Sequence, residues 1–287
     1  MIKSMQDSIE IAKGVNMPGF GLGLYKAQAG DEVYNAVRCA IDAGYRHIDT
    51  ATFYHNEADV GRAVRDCGVA REEIFVATKL WPTDFIKARA AFEQSLAAMD
   101  IGYIDLYMLH WPGTDETLRC KTWDTLLDLR EKGFIRAAGV SNFIAAQLED
   151  IKQRTGELPS NNQVELHPWH QQRELRKYCE ENGVSVTAWG PIFHGHLSEE
   201  PLMAKIGEKY EKSAAQATLR WHIQNNIAII PKSVKKERIL ENADIFDFEL
   251  SDEDMQSINA LSPKMSFSWD STKFDGDADA ARKQKSK

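Results

Sequence analysis

The chain has 287 residues, 43% hydrophobic and 27% charged, with a formal net charge of -8. This composition suits a soluble globular protein with a large core, and no run approaches the ~18 apolar residues of a membrane span. The polar start MIKSMQDSIEIAKG argues against a secretory signal, and the acidic balance argues against a nucleic-acid binder, which relies on clustered Lys and Arg. A cytoplasmic protein is expected, and the four widely spaced cysteines, Cys39, Cys67, Cys120 and Cys179, read as reduced thiols.

In chain order, the alternation over residues 8–12, with Gly14, Asn16 and Pro18 as turn residues, predicts a hairpin plugging the bottom of a barrel. A first strand over 20–24 follows. Gly19, Gly21 and Gly23 are spaced GxGxG, not GxGxxG, and no helix opens behind them, so a Rossmann fingerprint is rejected. Residues 31–43 place Val33, Ala36, Val37, Ala40 and Ile41 on one helical stripe, with Gly44 as the C-terminal stop. Strands over 46–49, 74–78, 104–109, 135–140, 162–166, 184–188 and 227–230 then alternate with helices over 56–67, 85–99, 122–131, 145–155, 171–182, 201–210 and 235–241.

Eight strands at this period predict a (β/α)₈ TIM barrel over about residues 19–245, in a single domain spanning 1–287. Helices over 213–224 and 252–261 exceed the count and read as two extra helices outside the barrel. The segment after residue 262 is a tail, and its aromatics Phe267, Trp269 and Phe274 are candidates for a lid or for packing on the barrel.

Three segments end a short apolar strand on a residue fit for proton chemistry. GYRHIDTATFYHNE carries Asp49 and then Tyr54, ATKLWP carries Lys79, and YMLHWP carries His110. Their spacing of about thirty residues is one strand, one helix and two loops, which returns each residue to the same barrel rim. A tyrosine is a poor acid unless its phenolate is stabilised, and a neighbouring ammonium does that. Lys79 fits, Asp49 is its counter-ion, and His110 would orient a carbonyl oxygen. Singly each has an ordinary reading as loop cap, half-buried aromatic, solvated amine or core histidine; four on one rim favour a site that protonates an oxygen.

Farther along, Ser141, Asn142 and Gln163 end strands five and six, where they can hold a carboxamide, and Trp189 can stack on a planar ring. Lys232, Lys235, Lys236 and Arg238 put four cations into seven residues at a strand-to-helix turn, an anion site within an acidic chain; a solvated helix face is the ordinary alternative. Tyr25, Phe53, Trp81 and Trp111 suggest an aromatic-walled pocket. His167, His170, His194 and His196 could suit the metal of a barrel hydrolase, but no Asp or Glu cluster is evident beside them, so no metal site is expected.

These segments resemble the aldo-keto reductase family. GYRHIDTATFYHNE is similar to its aspartate and tyrosine signature, ATKLW to its lysine strand, LHWP to its histidine strand, GVSNF to its amide-binding strand, and IIPKSVKKERILEN to its phosphate-binding segment, within a resemblance covering about residues 8–262. It implies an NADPH-dependent carbonyl reductase with Asp49, Tyr54, Lys79 and His110 as the catalytic tetrad and Tyr54 as the acid. It also implies NADPH/NADP+ bound by Ser141, Asn142, Gln163, Trp189, Gly190, Pro191, Lys232, Ser233, Val234, Lys235, Arg238, Glu241 and Asn242. The family often has tyrosine then serine where this chain has Trp189 and Gly190, and the loop over 192–197 also departs from its pattern. The short tail is similar to bacterial and protozoan members that reduce small dicarbonyls, keto-sugars or lipid-derived ketones, and the resemblance implies a monomer. A catalytically silent NADP(H)-binding regulatory subunit is the alternative on the same fold.

Overall fold

The structure is a computed structural model and describes residues 2–279 and 281. Strands β1 (Ser8–Ala12) and β2 (Val15–Pro18) form the antiparallel hairpin. The turn is tighter than the sequence suggested: Gly14, at φ 73°, makes it, while Asn16 and Pro18 lie within β2. Ile11, Val15 and Met17 share one buried cluster with Phe75, Ala77, Leu106, Met108, Ala137 and Ala228 of the barrel strands, so the hairpin closes the barrel bottom.

The barrel is a parallel sheet of eight strands in sequential order: β3 (Leu22–Gly23), β4 (His47–Asp49), β5 (Phe75–Leu80), β6 (Ile104–Leu109), β7 (Ile135–Ser141), β8 (Asn161–Glu165), β9 (Ser185–Trp189) and β10 (Ala228–Ile229). Parallel bridges Phe20↔Ile229 and Gly23↔Lys232 join the first and last strands. Closure explains the glycine run: a Cβ on Gly23 would lie 2.7 Å from the Ile230 carbonyl oxygen, so only glycine lets the last strand approach this closely.

Helices α1 (Asp31–Asp42), α2 (Glu57–Asp66), α3 (Ala88–Met99), α4 (Glu116–Glu131), α5 (Ala145–Thr155) and α6 (Arg173–Glu181) follow the strands in turn. The α1 stripe buries Val33, Ala36, Val37, Ala40 and Ile41, the face its periodicity predicts. Two helix starts differ from expectation by more than two residues. α4 begins at Glu116, six residues before the predicted start at 122, because Asp115 caps it by accepting from the Leu118 N–H. The helix expected over 85–99 divides into a 3₁₀ turn, Pro82–Lys87, and α3.

The extra helix was misplaced by the sequence reading. α7 (Pro201–Lys209) is the added one, while α8 (Ala214–Gln224) belongs to the barrel layer: it buries eight residues, Trp221 among them, and its His222 Nε2 lies 3.0 Å from the Leu166 carbonyl oxygen behind β8. Burial all round a helix is the mark of an inner element. α9 (Lys236–Ala243) completes the ring and α10 (Asp252–Asn259) is the second added helix.

Candidate functional site

The C-terminal strand ends gather the predicted groups. Lys79, in β5, is fully buried and donates from Nζ to Asp49 Oδ1 at 2.5 Å and to the Thr50 carbonyl at 2.8 Å. Tyr54 ends a 3₁₀ turn, Thr52–Tyr54, that swings it over this pair, with the Lys79 ammonium 5.2 Å from its ring centroid. His110, just beyond β6, meets the Tyr54 ring edge-on at 5.6 Å.

The electrostatics differ in one respect from the simple expectation. The Tyr54 hydroxyl is not lowered by its lysine neighbour; burial first, then the charge on Asp49 and the neighbouring Tyr25, hold it well above the usual tyrosine range. The physical reason is that Lys79 faces Tyr54 already paired with Asp49, so the phenol meets an ion pair and not a bare cation. Burial also pulls Lys79 below its ordinary value against the opposing pull of Asp49. Burial, with Lys79 beside it, pushes His110 well below the usual histidine range, so its ring is neutral, and its buried Nδ1 has no partner among the described residues.

The strand-five and strand-six residues lie against this cluster. Ser141 Oγ donates to the Gln163 carbonyl at 2.7 Å, and Asn142, left-handed at φ 65°, donates from Nδ2 to the His110 carbonyl at 3.0 Å. Trp189 Nε1 donates to Asn142 Oδ1 at 2.9 Å, leaving the indole half-buried at the rim. Gly190, at φ 62°, could not carry a side chain freely, since a Cβ there would lie 2.7 Å from His194 Cδ2. The chain that lacks the serine has filled its space with an imidazole, next to buried Pro191.

On the far side, Ser233 is buried and its hydroxyl accepts from the Lys235 N–H at 3.1 Å. Lys232, Lys235, Lys236 and Arg238 are exposed, and among the described residues none forms an ion pair. Among the described residues Lys235, the N-cap of α9, makes no side-chain capping bond, which leaves the first backbone N–H groups of the helix without a helical partner among the four cations. Val234 and Glu241 are partly exposed, and Asn242 is buried on the same helix. Unpaired cations around an uncapped helix start suit a phosphate, so these residues fit a nicotinamide dinucleotide carrying an extra phosphate.

The four pocket aromatics divide. Phe53 stacks on Trp81 with centroids 3.9 Å apart, and Tyr25 packs on Tyr54 at 5.2 Å. Trp111 contacts tail residues Trp269 and Phe274 at 5.4 and 4.9 Å, and Trp81 meets the same two at 6.3 and 5.6 Å. The tail crosses the rim: Trp81 Nε1 donates to the Gly276 carbonyl at 2.9 Å and Gln147 Nε2 to that of Ser271 at 3.1 Å. Phe267 lies apart from this pocket, stacked on His194 and His196.

One residue absent from the sequence reading anchors that tail. Glu165, the last residue of β8, accepts from Ser266 Oγ at 2.7 Å, Phe267 N at 2.7 Å and Ser268 N at 2.8 Å, with His167 Nε2 at 3.0 Å. Burial alone would raise its carboxyl; these donors outweigh it and hold it at about 2. A carboxylate does therefore stand at the strand end beside HPWH, and its position two residues before His167 was the available signal. Among the described residues no three His, Cys, Asp or Glu side chains are grouped to hold a metal ion, and no helix is long and apolar enough to cross a membrane.

A closed parallel barrel with a buried acid, amine and imidazole and a half-buried phenol at its strand ends has the architecture of a barrel enzyme. A family model for the aldo/keto reductase family matches residues 14–263, and the chain belongs to that family. It is 47% identical to the glyoxal reductase of Bacillus subtilis over 91% of this chain and 95% of that protein. Among solved structures, an aldo/keto reductase from Brucella melitensis superposes with a TM-score of 0.86 at 42% identity, covering 90% of this chain and 98% of that one. A mutant of Gox0644 in complex with NADPH superposes with a TM-score of 0.83 at 37% identity, covering 88% and 93%. The protein is therefore an oxidoreductase of the aldo/keto reductase family.

Proposed function

We propose that the protein reduces aldehydes and ketones with NADPH, small dicarbonyls among them, and that Tyr54 is the proton donor. The observation that carries this reading is the Lys79–Asp49 pair at 2.5 Å beneath a Tyr54 held in its neutral form. Bound NADPH would supply a hydride to the carbonyl carbon. Tyr54 would give its hydroxyl proton to the carbonyl oxygen as negative charge grows there, a transfer favoured only once that oxygen becomes more basic than the phenolate. The Lys79 ammonium would then face the phenolate, with Asp49 and the Thr50 carbonyl fixing its place.

His110, kept neutral, would donate a hydrogen bond to the same carbonyl oxygen and orient it. Ser141, Asn142 and Gln163 would hold the carboxamide, Trp189 would stack on the nicotinamide ring, and Lys232, Ser233, Lys235 and Arg238 would hold the phosphate on the adenosine, with Val234, Glu241 and Asn242 beside the adenine. Tyr25, Phe53, Trp81 and Trp111 would line the mouth, narrowed by Trp269 and Phe274, which favours compact substrates. The likeness to glyoxal reductase supports the dicarbonyl class.

The test is to mix the protein with NADPH and, separately, glyoxal, methylglyoxal and a bulky aromatic ketone, with and without chelator, following loss of the reduced-nicotinamide absorbance. Turnover of the dicarbonyls, insensitive to chelator, is expected. Cofactor binding without turnover of any carbonyl would overturn the reading in favour of a silent subunit.

A further inference from the structure

Glu57 is the first residue of α2, buried, and aimed at the outer face of β5. Its Oε1 accepts from Thr78 Oγ1 at 2.6 Å and its Oε2 from Ser95 Oγ, on α3, at 3.1 Å. Thr78 directly precedes Lys79, and alternate residues of a strand point to opposite faces, so one peptide joins the inner ammonium to this outer carboxylate. Resting on the reductase reading above, we infer that Glu57 is a positioning residue for the reduction: it holds the strand end that carries Lys79 and acts as a second counter-charge for the Lys79–Tyr54 pair.

The chemistry of its partners carries the argument. Two neutral hydroxyls would satisfy a glutamine as well as a glutamate, and burying a carboxylate is costly. Burial raises the Glu57 carboxyl above its ordinary value, and the Thr78 and Ser95 hydroxyls and the Lys79 ammonium pull the other way, so Lys79 is the cation that favours a charge here; reciprocally, burial lowers Lys79, and Asp49 and then Glu57 oppose that. Other titratable groups face it from the surrounding elements: Tyr107 on β6, in register with Thr78, and His55, Asp84, Asp277 and Asp279 around a cleft of about 890 Å³ that Glu57 and Ser95 also line. The cleft also takes in Phe53, Trp81 and Gly276 of the rim, while Tyr54 and His110 lie outside its lining.

The sign of the effect is fixed even though Lys79 and Tyr54 titrate together. Whichever of the two loses a proton first, a nearby negative charge opposes that loss, so removing the charge makes it easier. The experiment measures kcat/KM for a small dicarbonyl against pH at saturating NADPH, for wild type and Glu57→Gln, which keeps the hydrogen-bonding shape. The high-pH limb should move down by about 0.5 to 1 pH unit, the scale of losing one nearby buried counter-charge, with NADPH affinity unchanged. Should Glu57→Gln not fold, Glu57→Asp withdraws the charge by one methylene and should move the limb the same way by less. A limb at its wild-type position in the variant that folds overturns the inference and leaves Glu57 a packing residue. Failure of the reductase reading is distinguishable, because wild type would then show no turnover and hence no limb.

Discussion

Gln163 donates from Nε2 to Asp49 Oδ2 at 2.7 Å, joining the sixth barrel strand to the second. Asp49 thus divides its two oxygens between an amide and the Lys79 ammonium. A candidate cofactor residue and the Asp49–Lys79 pair are therefore one hydrogen-bonded unit, and changes at either end should be felt at both.

Removing one member of the buried pair leaves a charge without its partner, which costs about 3–5 kcal/mol, whereas removing both costs much less. Lys79→Met should therefore lower the free energy of unfolding by about that amount, and Lys79→Met with Asp49→Leu should recover a large part of it. Guanidinium titrations of the wild type, both single variants and the double variant close the cycle. An additive double variant would show that the pair is not coupled.

Tyr54→Phe keeps the ring and removes the acid. Turnover should fall by about 10² to 10⁴ with NADPH affinity nearly unchanged, because the hydroxyl acts on the transition state and not on the cofactor. Single-turnover kinetics, in which chemistry limits the rate, make the comparison; near-normal turnover would remove Tyr54 from the role of proton donor.

Arg238 is exposed, unpaired among the described residues, and beside an uncapped helix start. A charge-assisted hydrogen bond contributes about 1.5–3 kcal/mol, so Arg238→Ala should weaken NADPH by about 10- to 150-fold and leave NADH within a few-fold. Lys235 can take over part of the contact, so adding Lys235→Ala should weaken NADPH further. Fluorescence titrations with Trp189 as reporter decide this; equal weakening of both cofactors would mean the cluster does not read the extra phosphate.

Glu165 makes the tail pH-sensitive. Its carboxyl lies at about 2 in the fold against an ordinary 4.5, so its contribution is present above about pH 4.5 and is lost as pH falls from there through about 2. The difference amounts to about 3 kcal/mol at neutral pH. Glu165→Gln should be destabilised by about this much near pH 7 and by almost nothing near pH 2, and limited proteolysis should cut its tail faster at neutral pH. Equal stability of the two proteins near pH 7 would contradict the anchoring role.

The parts of the site legible in the sequence are those coded locally. Asp49, Lys79 and His110 each end their own apolar strand, so barrel periodicity alone brings them to one rim, and the cation cluster at 232–238 is contiguous. Contacts between distant segments were not legible: Glu165 with Ser266, Glu57 with Ser95, and Trp81 with Gly276 follow from the closed fold and from the path of the tail. The roles of α7 and α8 were exchanged for a related reason. Both carry apolar stripes, and only the packing against β10 tells which is inside. The Tyr54 hydroxyl shows a further limit, since a motif gives its neighbours but not the burial and pairing that decide its proton affinity.

Gly190 tests whether this chain has compensated for its departure from the family pattern. Two obstacles oppose Gly190→Ser: a left-handed backbone, which costs an L-residue about 1–2 kcal/mol, and a Cβ only 2.7 Å from His194 Cδ2. The first is fixed by the chain path, whereas the second can be relieved by moving or trimming an imidazole. Gly190→Ser should therefore lower the free energy of unfolding by about 1–3 kcal/mol, and Gly190→Ser with His194→Ala should recover the steric part while keeping the backbone part. Cofactor binding should follow the same order, because the new hydroxyl can approach the pyrophosphate only when the loop keeps its course: no gain in NADPH affinity for the single variant, and a measurable gain for the double one over His194→Ala alone. Denaturant titrations and NADPH binding on the four proteins make the comparison. A single variant as stable as wild type would mean that His194 yields freely and that glycine is not required there.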